Sequence, residues 1–350
     1  MPIGLHTAQL NFETLKEIGQ AGRNSQVFLA HDKQLDGQIV VKKILKSKLA
    51  NANDYYRESK ILHASSHPYV VRVNYGCSDN DSIYIAMPYY KNGSLKALID
   101  SRHLTIREVI RYSIQFLSGL NNIHSKGLIH FDVKPDNILL SDSNEALLSD
   151  FGLSKAMNNL GFANPDSVYQ KQIPPEVFTH SDKTIHFDIY LSGLTIYRLL
   201  NGNTHYYNQF NFASQREYIN AIMNGNIPNR NSYLPHIPLK LQRIVNKALS
   251  VGIHNRHKNV LELINELSSV DENLDLVYSH IGSNTQWTQN KSDRVYVITL
   301  DSSNLNNQNI VTTKTMLNTQ RTTRVNDLCR NNLTSSNVLS NLKAIFKRMQ

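Results

Sequence analysis

The tightest constraint on this chain is the run His130-Phe131-Asp132-Val133-Lys134-Pro135-Asp136-Asn137, followed after a short apolar strand by Asp150-Phe151-Gly152. In-line transfer of a phosphoryl group needs a carboxylate to orient a hydroxyl and accept its proton, and oxygen ligands to hold magnesium on the phosphates. Asp132 suits the first task, and Asn137 with Asp150 suits the second. Lys134, just past the carboxylate, stands within reach of the moving group, where its charge would offset the one that develops. Alone, a D-x-K-x-x-N run is as well read as a polar turn, and the downstream Asp-Phe-Gly tips the balance toward chemistry.

The flanking patterns set the architecture. From Phe12 to about Ala86 the residues read as short strands between turn signals, with one helical segment near Asp54 to Ala64, which predicts a small sheet-rich lobe. From about Ser94 to Leu267 apolar residues recur at helical spacing, as in Val109, Ile110, Ile114, Leu117, Leu120 and Ile123, which predicts a larger helical lobe. After Leu267 the texture turns asparagine- and threonine-rich, and the acidic segment Asp271 to Asp275 reads as part of a linker over 269–286. A third region, 287–350, follows as a small accessory unit. In it Arg294 to Leu300 alternates like a strand that Ile310 to Thr315 would pair with, and Arg321 to Arg330 and Ser336 to Arg348 read as short helices. The expected fold class is α+β, two-lobed, with lobes at about 12–90 and 91–268 and a C-terminal appendage.

Composition excludes more than it selects. With 350 residues, 40% hydrophobic and 19% charged, the chain can bury a real core. The net charge of +9 reads first as solvated faces, and nucleic acid is not an expected partner: in the basic tail Trp287 and Tyr296 are too few for a base-stacking platform. Cys77 and Cys329 are far apart and lack metal-ligand spacing, so neither a disulfide framework nor a zinc site is expected. The first residues show no basic stretch leading into an apolar run, Pro2 breaks the myristoylation pattern, and no segment approaches the length of a membrane span. A cytoplasmic setting without a membrane partner is the expectation.

Taken as an ordered set, these motifs resemble the eukaryotic-type serine/threonine protein kinase family. The resemblance spans about three-quarters of the chain and implies the family's two-lobed fold, ATP with Mg2+ (or Mn2+) as cofactors, and a protein substrate carrying serine or threonine. It implies that Lys42, in the strand Ile39-Val40-Val41-Lys42-Lys43-Ile44, neutralises α- and β-phosphate oxygens when positioned by Glu58. The phosphate-covering loop is irregular: counted back from Val27, the family's glycine positions fall on Gln20, Gly22 and Ser25, and counted forward from Gly19 the loop is one residue longer. Gly19, Gly22 and Val27 are the candidate contacts there. Val40, Met87, the hinge residues Pro88, Tyr89 and Tyr90, and Leu139 complete the adenine site. Pro88 lacks an N–H but keeps the carbonyl that the hinge contact from its position uses. Glu176 with Arg256, and Asp188 bracing the catalytic loop, are implied structural features.

Two departures bear on regulation and specificity. Phe131 replaces the arginine that most relatives place before the catalytic aspartate, which removes an electrostatic reason for activation-loop phosphorylation. The loop from Leu153 to Ile173 holds only Ser154 and Ser167 as hydroxyl sites besides Tyr169, which stands where a threonine is usual. A catalytically silent relative and a small-molecule kinase are the rival readings. The first is countered by the complete set Lys42, Glu58, Asp132, Asn137 and Asp150, and the second by Lys134, Asp-Phe-Gly and Pro174-Pro175-Glu176. The tail is expected to be a docking module whose apolar helix positions Val338, Leu339, Leu342, Ile345 and Phe346 pack on the lobes or on a partner protein.

Overall fold

The computed structural model describes residues 10–19, 25–48, 60, 61, 63, 65–165, 168–179 and 182–349. Among the described residues five strands come first: β1 Phe12–Gly19, β2 Ser25–Asp32, β3 Gly37–Leu45, β4 Tyr75–Ser78 and β5 Ser82–Pro88. They form one antiparallel sheet in the order β1-β2-β3-β5-β4. Alternation decides its faces, since Ile39 and Val41 turn into a small core with Ala30 and Ala86. Most of the helix expected at Asp54 to Ala64, Glu58 included, lies outside the described residues, as do Gln20 and Gly22.

The second part is helical and is organised around the helices Ile106–Ser125 and His186–Asn201. The first begins with a capping box, Thr105 accepting from the Glu108 amide while Glu108 accepts from that of Thr105, so two otherwise orphaned donors are satisfied. Its Val109, Tyr112, Phe116, Leu120 and Ile123 recur at helical spacing and are buried. Gly119 on the same helix permits close approach of the segment leading into β4: a Cβ there would sit 2.4 Å from the Tyr69 carbonyl oxygen. The helix His186–Asn201 is buried at every residue after the first. Two short ribbons, β6 Leu128–Ile129 with β9 Lys155–Ala156 and β7 Ile138–Leu140 with β8 Ala146–Leu148, carry the loops between them. Arg256 donates to both oxygens of Glu176 at 2.8 and 2.7 Å, with both residues buried. A bidentate pair of this kind fixes geometry more than it adds stability.

The C-terminal region departs from expectation in three places. The stretch expected as a linker, 269–286, contains strand β10 Leu276–Ile281 and the start of β11 Asn284–Asn290, so the accessory sheet begins before Trp287. Leu276 and Tyr278 turn inward in alternation, and the acidic end of the supposed linker is used, with Asp275 accepting from Arg107 at 2.6 and 2.8 Å. Strands β12 Arg294–Asp301, β13 Gln308–Met316 and β14 Thr322–Arg324 continue the sheet in the order β10-β11-β12-β13-β14, with β15 Arg330–Leu333 also pairing β13. The helix expected at Arg321 to Arg330 is therefore absent. Thr322 and Thr323 are β-branched and pair with Thr315 and Lys314, leaving only a 3-10 turn at Asn326–Leu328. Finally, the helix Ser335–Met349 packs on its own sheet, not on the lobes: Val338, Leu342, Ile345, Phe346 and Met349 form one core with Trp287, Ile298, Leu300 and Ile310.

That sheet is itself joined to the helical lobe. The buried Trp287 donates Nε1–H to Nδ1 of the buried His236 at 3.1 Å. The His236 ring stacks on Tyr278 at 5.4 Å between centroids, and His103 meets the same tyrosine edge-on at 4.6 Å.

Candidate active site

The loop between β6 and β7 is hung from the helix His186–Asn201. Asp188, fully buried, accepts from the backbone amides of His130 and Phe131, each at 2.8 Å, and lies 2.8 Å from Nε2 of His124. Farther along, Thr195 donates to the Val133 carbonyl at 3.2 Å, and Arg198 reaches Asp136 at 3.5 Å. These bonds explain how Phe131 holds φ of +67°, a conformation that costs a bulky side chain energy. Its amide is bonded, and its ring is buried edge-on against Phe187 at 5.1 Å between centroids.

His130 has one consistent tautomer. Nδ1 accepts from the Asp132 amide at 3.2 Å, which leaves Nε2–H to donate to the Ser149 carbonyl at 3.1 Å. Burial pushes this imidazole below its ordinary pKa, so it stays neutral. Its ring meets Phe151 edge-on at 4.8 Å, which ties the loop carrying Asp132 to the Asp150-Phe151-Gly152 turn. That turn is tied again where Ser149 donates through both its amide and its hydroxyl to the Asn137 carbonyl, each at 2.9 Å.

At the centre, Lys134 donates to both oxygens of Asp132 at 2.9 and 2.8 Å, and Asn137 Nδ2 donates to Asp132 Oδ2 at 2.8 Å and to its carbonyl at 2.9 Å. Lys42 from β3 donates to Asp150 Oδ1 at 2.8 Å. Burial alone would raise the Asp150 carboxyl, but the charge and hydrogen bond of Lys42, helped by Lys134, hold it well below the usual carboxylate range. Asp150 also has positive φ, +59°, which turns its side chain out of the strand direction. The expected pairing of Lys42 with Glu58 lies outside the described residues.

The adenine-side candidates come together through strand register. Val27 faces Lys42 across β2 and β3, Gly19 faces Val27, Val40 faces Met87, and Ile39 faces Pro88. Leu139 bridges Ser94 just past the hinge segment that includes the exposed Tyr89 and the half-buried Tyr90. Among the described residues no group of three or more His, Cys, Asp or Glu side chains could hold a metal ion by itself. The candidate ligands Asp150 and Asn137 carry side-chain oxygens, the donor type that a magnesium ion would take from a protein.

Sequence reading did not pick out Thr195, Arg198 or His124. The available signal was their placement: Thr195 and Arg198 follow Asp188 by about two and about three helical turns, so one helix could grip the loop repeatedly.

The protein kinase domain model matches residues 12–276. Similar proteins include the probable serine/threonine-protein kinase PknB of Lactococcus lactis, 27% identical over 74% of this chain and 42% of that protein. The serine/threonine-protein kinase PrkC of Bacillus subtilis is 25% identical over 72% of this chain and 39% of its own length. PknD of Chlamydia muridarum is 27% identical over 79% of this chain and 32% of its own length. The chain thus spans less than half the length of these relatives. On the match over most of its length, the chain belongs to the protein kinase family.

Proposed function

We propose that this protein transfers the γ-phosphoryl group of Mg-ATP to serine or threonine hydroxyls of a protein substrate. The observation that carries this is the convergence of Lys134 and Asn137 on the Asp132 carboxylate, with Asp150 and Lys42 beside it. In this role Asp132 orients the acceptor hydroxyl and takes its proton, and Lys134 stays near the transferred group to offset its charge. Asp150 and Asn137 would hold the divalent ion, Mg2+ or Mn2+, which supplies charge neutralisation on the phosphates. Lys42, now on Asp150, would pass to the α- and β-phosphate oxygens when nucleotide enters. Gly19, Gly22 and Val27 would cover the phosphates and ring, with Val40, Met87, Pro88, Tyr89, Tyr90 and Leu139 around adenine.

We also infer that activity does not wait for activation-loop phosphorylation. A phosphate on that loop usually quenches an arginine before the catalytic aspartate, and Phe131 at that place is buried in apolar packing. Ser154 is fully buried with its hydroxyl toward the His130 carbonyl. The accessory sheet would serve as a docking module for substrate or partner protein.

Incubation of the purified protein with labelled ATP and Mg2+, followed by separation of protein-bound from small-molecule label, tests the reaction. Label on serine or threonine of added protein supports it. Binding without transfer, or label only on small molecules, overturns it. Phosphatase treatment beforehand should leave the rate unchanged and without a lag.

A further inference from the structure

Tyr169 occupies a position the phosphate chemistry does not explain. Its ring lies over the Lys134 ammonium at 4.9 Å, while that ammonium donates to both oxygens of Asp132. The ammonium is thus held between a carboxylate on one side and the negative face of a ring on the other.

The ring is itself fixed from several directions. Tyr218 donates to the Gln170 carbonyl at 2.7 Å and Tyr206 donates to the Lys171 carbonyl at 2.5 Å, so the backbone just after Tyr169 is pinned by two tyrosines. The Tyr207 hydroxyl, beside Tyr169, accepts from the buried Arg198 at 3.1 Å. Arg198 reaches Asp136 of the catalytic loop as well. Tyr207, beside Tyr169, and Asp136, in the loop carrying Lys134, therefore share the same buried guanidinium. Tyr169 is itself 42% exposed, so it stands at the mouth of the site, not in the core.

We infer that Tyr169 is a positioning residue for Lys134: its ring keeps the ammonium on Asp132 and the transferred group through a cation–π contact, which presupposes the phosphoryl transfer proposed above. A cation–π contact in a partly exposed site changes a rate by between about 2-fold and about 30-fold, depending on how dry it is. The effect falls on the step in which Lys134 acts. It lowers kcat on a protein acceptor and leaves the KM for ATP unchanged, because the contact falls on Lys134, which acts in the transfer step.

The test uses the full chain with dephosphorylated casein as acceptor. Tyr169→Leu is expected to lose kcat within that range, and Tyr169→Phe, which keeps the ring, to recover most of the loss. Because a leucine could also loosen the segment, the ring is next made electron-poor at constant shape, with phenylalanine and its mono-, di- and trifluorinated forms at position 169. A stepwise fall in kcat with fluorination supports the contact. A flat series, or Tyr169→Leu equal to wild type, overturns it. An independent readout needs no turnover: the side-chain resonances of Lys134, identified through Lys134→Arg in lysine-labelled protein, should lose their ring-current shift in Tyr169→Leu and keep it in Tyr169→Phe. Unchanged resonances in Tyr169→Leu overturn the contact. Absent transfer in the wild type strikes the proposed reaction and leaves the resonance result to decide the contact.

Discussion

Replacing His236 with leucine should loosen the attachment of the accessory sheet more than any surface change at that junction. His236 and Trp287 are 1% and 0% exposed, and the indole Nε1–H has Nδ1 of His236 as its acceptor at 3.1 Å. Leucine strands that donor in a dry place, which costs about 1 to 3 kcal/mol. The stacked contact of His236 with Tyr278 is lost as well, worth about 0.5 to 1.5 kcal/mol. The expected loss is roughly 2 to 4 kcal/mol, a large part of the usual net stability of a domain. Trp287→Phe removes the same bond from the other side and strands the imidazole acceptor. Urea unfolding followed by circular dichroism on wild type, both single variants and the double variant closes a thermodynamic cycle. Because the two changes delete one shared bond, the double variant should fall short of the sum by about 1 kcal/mol or more. Trp287 is the chain's one tryptophan, so its fluorescence in wild type and His236→Leu reports on this junction directly. If the two losses add to within about 0.5 kcal/mol, the bond does not hold the junction and the reasoning fails.

The same histidine predicts a pH dependence. Burial pushes its pKa down from 6.5 to about 3, with the neighbouring charge of His103 acting the same way. Since the unfolded chain takes up the proton first, this stabilisation is present above about pH 6.5 and drains away as the pH falls toward 3, by at most about 1.4 kcal/mol per pH unit. His236→Leu should flatten that slope in urea melts between pH 6.5 and 4.5. Asp132→Asn should still bind ATP by calorimetric titration but lose on the order of 10² to 10⁴ in phosphoryl transfer, and near-normal turnover would remove Asp132 from its role. Asp188→Asn offers one acceptor oxygen where the carboxylate offers two to the amides of His130 and Phe131. It should cost about 1 to 3 kcal/mol in a urea melt, and no change would mean the loop is held by other contacts.

Asp132, Lys134 and Asn137 were legible in the sequence because they meet within a few residues of one another, where spacing nearly dictates contact. Asp150 was legible because the short β7 and β8 ribbon leaves little freedom in where it returns. The grip of Thr195 and Arg198 was not, since it joins a helix to a loop some sixty residues earlier, and only packing decides which helix face turns toward the loop. The tail shows the same division. The alternation in Arg294 to Leu300 pointed to a strand, and Leu300 faces Ile310 across the ladder. Strand β10 was hidden because its acidic preface looked like a solvated linker, and its outward residues Val277 and Ile281 are exposed apolar side chains that blur the period. Arg321 to Arg330 has no apolar period of either kind, and its first threonines were claimed by β13.

A helix buried on every side cannot shift or unwind a turn without opening the core around it, and the loop that carries Asp132 hangs from such a helix at Asp188, Thr195 and Arg198. The amides of His130 and Phe131 therefore have no local route to solvent. In a hydrogen-exchange experiment they belong with the slowest protons of the molecule, exchanging only when the whole helical lobe opens. The part of the site proposed to handle the acceptor hydroxyl is thus as long-lived as the fold itself, and its rate of loss on heating is the unfolding rate of the lobe.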